Sequence, residues 1–251
     1  MFQEIQDKLD EVERINRIRI VYACESGSRV WGFPSPDSGC DVRFIYVRSK
    51  NDYLSIVESG DSLEMSSAGK FEMIGWDLRK TLRLFRKSEV SIFEWLQSPA
   101  VYRRDSGFVG EMKSFAADYF SPRTGVARYL DLTKSVWQDM QGEEIGIRKY
   151  FQCLRAVLSA LWIIENRDIP PTEFSALRTL ITDSEWQNIV GELLDVKSEA
   201  NEMTSIRPVA LLQTFIGTCI QHCETNLPEA DREDRNIERL NVLFRKQLRE
   251  A

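Results

Sequence analysis

Histidine is almost absent from this 251-residue sequence, and the cysteines form no recognisable binding pattern. His222 is the single histidine, so a mechanism with a histidine general base has one candidate. A place on a helix surface or in the core is the simpler expectation for it. The five cysteines are odd in number and include no Cys-x-x-Cys pair. This pattern argues against a disulfide framework and against a structural zinc site, and the thiols are expected to be reduced core residues.

Long hydrophobic runs are also missing. No window reaches the roughly 18 uninterrupted apolar residues that a membrane span requires. The N-terminal stretch MFQEIQDKLDEVERI is charged and amphipathic, unlike a signal peptide. We therefore expect a cytoplasmic protein with no membrane partner.

The charge balance is acidic, with 33 Lys and Arg against 39 Asp and Glu, for a net charge of −6. This balance argues against indiscriminate nucleic-acid binding but permits a local basic patch. A hydrophobic content of 43% suits one large or two modest globular domains.

Hydrophobic spacing predicts an α+β part followed by a helical part. Apolar residues recur every three or four positions over 2–15, which predicts a helix, while IRIVYAC (18–24) and CDVRFIYV (40–47) are typical of strands. KFEMIGW (70–76) predicts a short strand, and DLRKTLRLFRKS predicts the helix after it. From residue 126 onward the pattern is almost entirely helical. We therefore place a domain boundary near residue 120.

The stretch between the first two strands contains a candidate phosphate site. Gly27 lets the backbone approach a triphosphate closely, and Ser28 follows where exposed amides at a helix start supply donors. An ordinary turn is the alternative for this pair. Asp41 lies on the next strand, where an Asp-x-Asp pattern would present two carboxylates to a metal from one face. The alternative for Asp41 is an acid that caps a turn at the strand end.

Basic residues are frequent near these positions. Arg29 and Arg43 flank the stretch. One predicted helix carries a stripe of cations, whose members are Arg79, Lys80, Arg83, Arg86 and Lys87. A solvated helix face is one interpretation of the stripe, and a phosphate or RNA contact is the other.

These motifs resemble a known family. GSRVWGFPSPDSGCDVRFIYV resembles the signature of the DNA polymerase β nucleotidyltransferase superfamily, in which Gly-Ser precedes Asp-x-Asp on a strand. The blocks DVRFIYV, GWDLRKTLRL, FEWLQSPAVY and RKYFQCLRAVLSALW resemble predicted nucleotidyltransferases of the RlaP type, which are linked to RNA repair. The resemblance implies a nucleotidyltransferase domain over 1–120, with a mixed β-sheet and flanking helices. It implies an all-helical substrate-binding domain over 121–251.

The resemblance also implies roles for individual residues. Gly27 and Ser28 match the pair that contacts the nucleotide phosphates, and Asp41 matches the second metal-binding aspartate. Glu72 matches the third carboxylate, which would help to deprotonate the attacking hydroxyl, with Asp77 as its rival. The implied cofactor is Mg²⁺ or Mn²⁺.

The departure from the family pattern is Gly39, which occupies the position of the first aspartate. Asp37 is the nearest acid, but four residues of extended strand span about 13 Å. Asp37 would therefore serve as a metal ligand only if its loop folds back.

Other nucleotide contacts follow from the resemblance as well. It favours Arg79 and Lys80 on the stripe, and it favours Lys149 and Tyr150 at the start of a long helix. The alternative for the last pair is a surface lysine beside a core tyrosine.

The resulting hypothesis is a two-domain enzyme that transfers a nucleoside monophosphate from a nucleoside triphosphate to a hydroxyl of an RNA or protein acceptor. We expect impaired activity because Gly39 supplies no metal ligand. One alternative is a non-catalytic nucleotide- or RNA-binding protein with the same fold, and another is a helical interaction module on a degenerate core. The choice of nucleotide, the acceptor and the oligomeric state stay open.

Overall fold

A computed structural model describes residues 1–67, 71–230 and 235–249 of the chain. It has an α+β fold, as expected from the hydrophobic pattern, and contains a mixed five-stranded sheet. The chain forms two compact units. The first comprises Met1–Gly27, Gly39–Tyr119 and Glu233–Ala251, and the second comprises Ser28–Ser38 and Phe120–Arg232. The predicted domains 1–120 and 121–251 stay a prediction, and the compact units differ from them by two exchanged segments.

The first unit contains the sheet. Its strands are β1 (Arg19–Ser26), β2 (Cys40–Val47), β3 (Ser62–Ser67), β4 (Phe71–Asp77) and β5 (Val101–Arg104). Its helices are α1 (Phe2–Asn16), α3 (Lys50–Tyr53), α4 (Leu78–Arg86), α5 (Val90–Gln97), α6 (Ser106–Tyr119) and α12 (Ile237–Gln247). Lys70, the first residue of the predicted strand KFEMIGW, lies outside the described residues.

The strand order is β3-β4-β2-β1-β5. The central strands β2 and β4 run parallel, and the other pairs are antiparallel. Sequence reasoning missed both edge strands, because SLEMSS is largely polar and VYRR directly follows a proline-containing turn. Strands β2 and β4 appear where the sequence predicted them.

Helix α1 covers one face of the sheet. Its buried residues Ile5, Leu9 and Val12 recur at helical spacing, so they form one apolar stripe. This stripe packs in one core cluster with Val42 and Phe44 of β2. Burying each of these side chains stabilises the fold by about 2 kcal/mol.

Helices α4 and α5 lie against the opposite face. The rings of Trp76 on β4 and Trp95 on α5 lie 4.3 Å apart between centroids. The Tyr22 hydroxyl on β1 donates to the Trp95 carbonyl at 2.6 Å. Helix α4 begins where Asp77 accepts a hydrogen bond from the Arg79 amide, which satisfies an amide that has no partner within the helix. These contacts fix the sheet between two layers of helix.

The second unit is built around a long buried helix. Its elements are α2 (Ser28–Trp31), α7 (Pro122–Gln138), α8 (Ile147–Asn166), α9 (Phe174–Leu177), α10 (Ser184–Glu199), α11 (Ala210–Thr225), the short strands β6 (Ile145–Gly146) and β7 (Ser205–Ile206), and a 3₁₀ turn at Arg178–Leu180. Phe33 stacks on Phe151 of α8, with ring centroids 5.2 Å apart. Residues 28–38, which lie between β1 and β2 in the sequence, therefore contribute to the core of this unit.

A buried lysine is hydrogen-bonded to the same segment. The Lys197 side chain is fully buried, and its Nζ donates to Ser35 Oγ at 2.7 Å and lies 3.5 Å from Glu202 Oε1. Burial lowers the pKa of Lys197.

In the parts of the chain that the structure describes, no helix combines the length and apolar character that a membrane crossing requires.

Candidate functional site

Asp41 and Glu72 lie side by side on the two parallel strands. Asp41 is the second residue of β2, and the register pairs it with Glu72 on β4 and with Ser26 on β1. Paired residues on adjacent strands project from the same face of a sheet. The structure therefore brings together the two carboxylates that the sequence singled out.

Gly27 lies directly against Asp41. A Cβ atom built on Gly27 would stand 2.9 Å from Asp41 Cγ and would overlap Oδ2. The backbone of Gly27 also has a φ of +77°, a conformation that side chains strongly disfavour. Glycine is required here for two physical reasons, the turn and the room for the Asp41 carboxylate. Sequence reasoning had considered only the approach of a phosphate.

Arg43 lies between the two carboxylates. Its guanidinium donates to Glu72 Oε2 at 2.8 Å and lies 3.6 Å from Asp41 Oδ1. The Arg43 side chain is 17% exposed, so these attractions are only partly screened by water. One cation offsets two anions, which leaves the cluster with one excess negative charge. Alternation along β2 places residues 41 and 43 on one face, so this contact was accessible to sequence reasoning but was missed.

Glu72, and not Asp77, is the acid beside Asp41. Asp77 lies five residues further along β4, a distance of about 16 Å. It accepts hydrogen bonds from the Tyr53 hydroxyl at 2.7 Å and from the Arg79 amide at 2.8 Å. Burial raises its pKa. Asp77 therefore caps a helix at the far end of the strand.

The loop before β2 contains Gly39 and Asp37, the two positions considered for a further metal ligand. Gly39 directly precedes β2 and has no side chain. Both Asp37 carboxylate oxygens accept the Glu202 amide, at 3.0 and 3.2 Å within the second unit. The role of Asp37 as a metal ligand stays a prediction.

The carboxylates of Asp41 and Glu72 are the oxygen donors that remain for Mg²⁺. Among the described residues, no group of three or more His, Cys, Asp or Glu side chains is placed to hold a metal. Two carboxylates are hard oxygen ligands, and Mg²⁺ is usually held by one or two of them together with substrate phosphates. Asp41 and Glu72 thus fit a single divalent ion that a nucleotide helps to hold.

A thiol on the neighbouring strand β1 is unreactive. Cys24 on β1 is paired in register with Arg43 and is fully buried. Burial raises the pKa of Cys24 to about 12. Because the thiolate is the nucleophile and the metal ligand, Cys24 supplies neither function at neutral pH.

Ser28 and Arg29 open the short helix α2. Ser28 Oγ lies 3.3 Å from Ser38 Oγ, which in turn is hydrogen-bonded to Glu202. Arg29 is exposed. Their nucleotide contacts stay predictions.

Arg79 and Lys80 do not lie with the carboxylate cluster. They open helix α4 beyond the end of β4 that carries Asp77. The Arg79 guanidinium stacks on Tyr53, 4.9 Å from the ring centroid, and Lys80 pairs with Asp61 at 3.1 Å. A strand length separates them from Asp41, and their contact with a nucleotide stays a prediction.

Lys149 and Tyr150 lie in the first turn of α8. Tyr150 is fully buried, and its hydroxyl accepts hydrogen bonds from the Val209 amide at 2.8 Å and from Gln213 Nε2 at 2.9 Å. This placement matches the core tyrosine that was the alternative for this position, and the contact of Tyr150 with a nucleotide stays a prediction. Lys149 pairs with Asp139 at 2.9 Å on the surface. Its contact with a nucleotide stays a prediction.

Comparisons with known proteins extend over nearly the whole chain. An uncharacterized protein of Bacillus subtilis, YcgL, is 36% identical over 239 residues, which cover 94% of this chain and 92% of the relative. A crystal structure of a nucleotidyltransferase-like protein from Exiguobacterium sibiricum aligns with 98% of this chain and 80% of its own, at 10% identity and a TM-score of 0.29. The model of the RlaP family, described as the RNA repair pathway DNA polymerase beta family, matches residues 1–246. The chain, with its paired strand carboxylates, belongs to the RlaP family of nucleotidyltransferase-like proteins.

Proposed function

We propose that this protein transfers a nucleoside monophosphate from a nucleoside triphosphate to a hydroxyl group of an RNA or protein acceptor. The observation that supports this reaction is the pairing of Asp41 with Glu72 beside the close backbone turn at Gly27. Membership in a family described by RNA repair supports RNA as the acceptor.

Asp41 and Glu72 would hold Mg²⁺ or Mn²⁺ together with the substrate phosphates. When bound, the ion supplies charge neutralisation on the phosphates. Gly27 offers a backbone without a side chain for close approach, and Ser28, Arg29 and Arg43 supply donors to the triphosphate.

The transfer itself is a single displacement. The acceptor oxygen forms a bond to the α-phosphorus, the bond between that phosphorus and the bridging oxygen breaks, and pyrophosphate leaves. Glu72 takes the proton of the acceptor hydroxyl. No covalent intermediate on the protein is required, because positioning and electrostatics carry phosphoryl transfer.

We expect slow transfer because Gly39 adds no carboxylate to this pair. Loss of one electrostatic group in an active site costs about 3–4 kcal/mol of transition-state stabilisation, which corresponds to a factor of about 10²–10³ in rate. The triphosphate contacts do not depend on that group.

A second candidate is a non-catalytic nucleotide- or RNA-binding protein with the same fold. The contact that favours it is the one between Arg43 and the two carboxylates, since a guanidinium already offsets their charge. In this case a nucleotide would bind without a divalent ion.

The test is a transfer assay with triphosphates labelled at the α-phosphate, offered with total RNA and with protein acceptors. We expect weak transfer by the native protein, a gain in Gly39→Asp and a loss in Asp41→Ala. Asp195→Ala removes an exposed carboxylate from α10 and serves as the control, with no expected change.

The two candidates separate in the native protein. Metal-dependent transfer by the native protein supports the enzyme, whereas nucleotide binding without metal and without transfer supports the binding protein. Robust native transfer that Asp41→Ala leaves intact would reject the assignment of the site.

A further inference from the structure

A groove runs between helices α4 and α12 of the first unit. Its cavity measures about 630 Å³. This volume lies in the range of about 300–1,000 Å³ that is typical of small-molecule sites. The groove, here called the α4–α12 groove, has a basic side and an apolar side.

The basic side belongs to α4. Arg79, Arg83, Arg86 and Lys87 line it, and their spacing of three or four residues puts them on neighbouring turns of one helix face. The described lining residues include no Asp or Glu. Arg83 and Lys87 are exposed and make no ion pair with any described residue. Among the described residues, no carboxylate in the walls of this groove offsets its positive charge.

The apolar side belongs largely to α12. Ile237 is 51% exposed, whereas Leu240 and Leu82 are buried at the base of the groove. The ring of Phe244 also lines the groove and lies 5.6 Å from the Arg79 guanidinium. An aromatic ring in the same groove as Arg83 and Lys87, which have no described ion pair, suits a ligand that combines phosphate with a flat base.

The groove is distinct from the carboxylate cluster. Helix α4 starts after Asp77, about 16 Å along β4 from Glu72. A ligand of the groove is therefore no part of the reaction centre at Asp41.

From this lining we infer that the α4–α12 groove is a second binding site, which takes a nucleotide unit, either as a free nucleotide or within a single-stranded nucleic acid. The cations of α4 contact phosphate, and Phe244 with Ile237 contacts the base. This site does not depend on the transfer reaction proposed above.

The test measures binding of a fluorescent single-stranded oligoribonucleotide to the full chain by anisotropy, over a series of salt concentrations. We expect Arg83→Glu and Lys87→Glu each to weaken binding by about tenfold or more, because a phosphate contact becomes a repulsion. Each should also lower the salt slope by about 0.7. Lys113→Glu on α6 changes the net charge equally at an exposed position that does not line the groove, and we expect less than about a twofold effect from it.

Competitors identify the ligand. Displacement of the probe by ATP assigns the groove to a free nucleotide, and displacement by unlabelled strand alone assigns it to nucleic acid. Phe244→Leu should weaken the competition by either of them but not that by inorganic tripolyphosphate, which has no base.

Several outcomes would overturn the inference. These are the absence of probe binding, equal effects of Lys113→Glu and Arg83→Glu, and equal responses of all competitors to Phe244→Leu. Binding of the probe is measured without a triphosphate, so a failed transfer assay and a failed groove remain distinguishable.

Discussion

The contact between Gly27 and Asp41 predicts a strong coupling between these two residues. In Gly27→Ala, the new methyl group would overlap the Asp41 carboxylate, so either the side chain rotates away from Arg43 or the strands shift. Such overpacking costs about 1–3 kcal/mol. The positive φ adds about 1 kcal/mol for an alanine. We therefore expect Gly27→Ala to lower the free energy of unfolding by about 2–4 kcal/mol.

Removal of the carboxylate should relieve most of this cost. In the Asp41→Ala background, the nearest remaining atom of residue 41 is its Cβ, at 3.2 Å from the built methyl group. The alanine at position 27 should then cost only about 1 kcal/mol, so the double-mutant cycle should give a coupling of about 1–3 kcal/mol.

Urea-induced unfolding of the native protein, the two single variants and the double variant measures this cycle. Gly32→Ala is the matched control, because Gly32 has a φ of +90° but no atom within 4 Å of its built Cβ. It should show the backbone cost alone and no coupling to Asp41→Ala. Additive effects of Gly27→Ala and Asp41→Ala would refute the close approach on which the site description depends.

Three further predictions concern stability. Asp77→Asn keeps the helix cap but removes a buried carboxyl group whose pKa is raised. The stability of this variant relative to the native protein should therefore increase as pH rises above about 4. Urea titrations at several pH values measure the difference, and a difference that stays flat would contradict the prediction. Lys197→Met should lower the free energy of unfolding at pH 7 by up to about 3–5 kcal/mol, because it removes one partner of a buried ion pair and leaves the Glu202 carboxylate behind. Burial lowers the pKa of Lys197, so the stability of the native protein relative to Lys197→Met should increase as pH rises toward about 10.5. A difference that stays flat in calorimetry at alkaline pH would indicate a solvated lysine. Gly75→Ala should lower the free energy of unfolding by about 1–3 kcal/mol, because its Cβ would meet the Phe44 ring at 2.7 Å or less. Gly110→Ala on α6 has open space around its Cβ and should raise the free energy of unfolding by about 0.5–1 kcal/mol, and thermal unfolding measures both.

The sequence was most informative where one physical signal dominated. Strand β2 was predicted over its full length because CDVRFIYV is rich in β-branched and aromatic residues. The pairing of Asp41 with Glu72 was implied by family resemblance, since nothing local in either strand specifies a parallel register across 31 residues.

Other features depend on contacts between distant segments and could not be predicted from local patterns. Tyr150 resembles a ligand-binding aromatic in the sequence, but its hydroxyl is held by Val209 and Gln213, some sixty positions later in the chain. Helix α12 was correctly expected to be helical, yet its spacing does not indicate that it packs on α4. Tertiary packing decides such placements.

Helix α12 belongs to the first unit although it follows the second unit in the sequence, and this order has a consequence for protein synthesis. The first unit holds residues from both the beginning and the end of the sequence given, with the helical second unit between them. A ribosome therefore releases nearly all of the second unit before α12 exists, although domains generally fold as they emerge. Until α12 arrives, the apolar residues at the base of the groove, Leu82 among them, lack one wall. The nascent chain thus carries an exposed apolar and basic surface on α4 throughout the translation of more than a hundred residues.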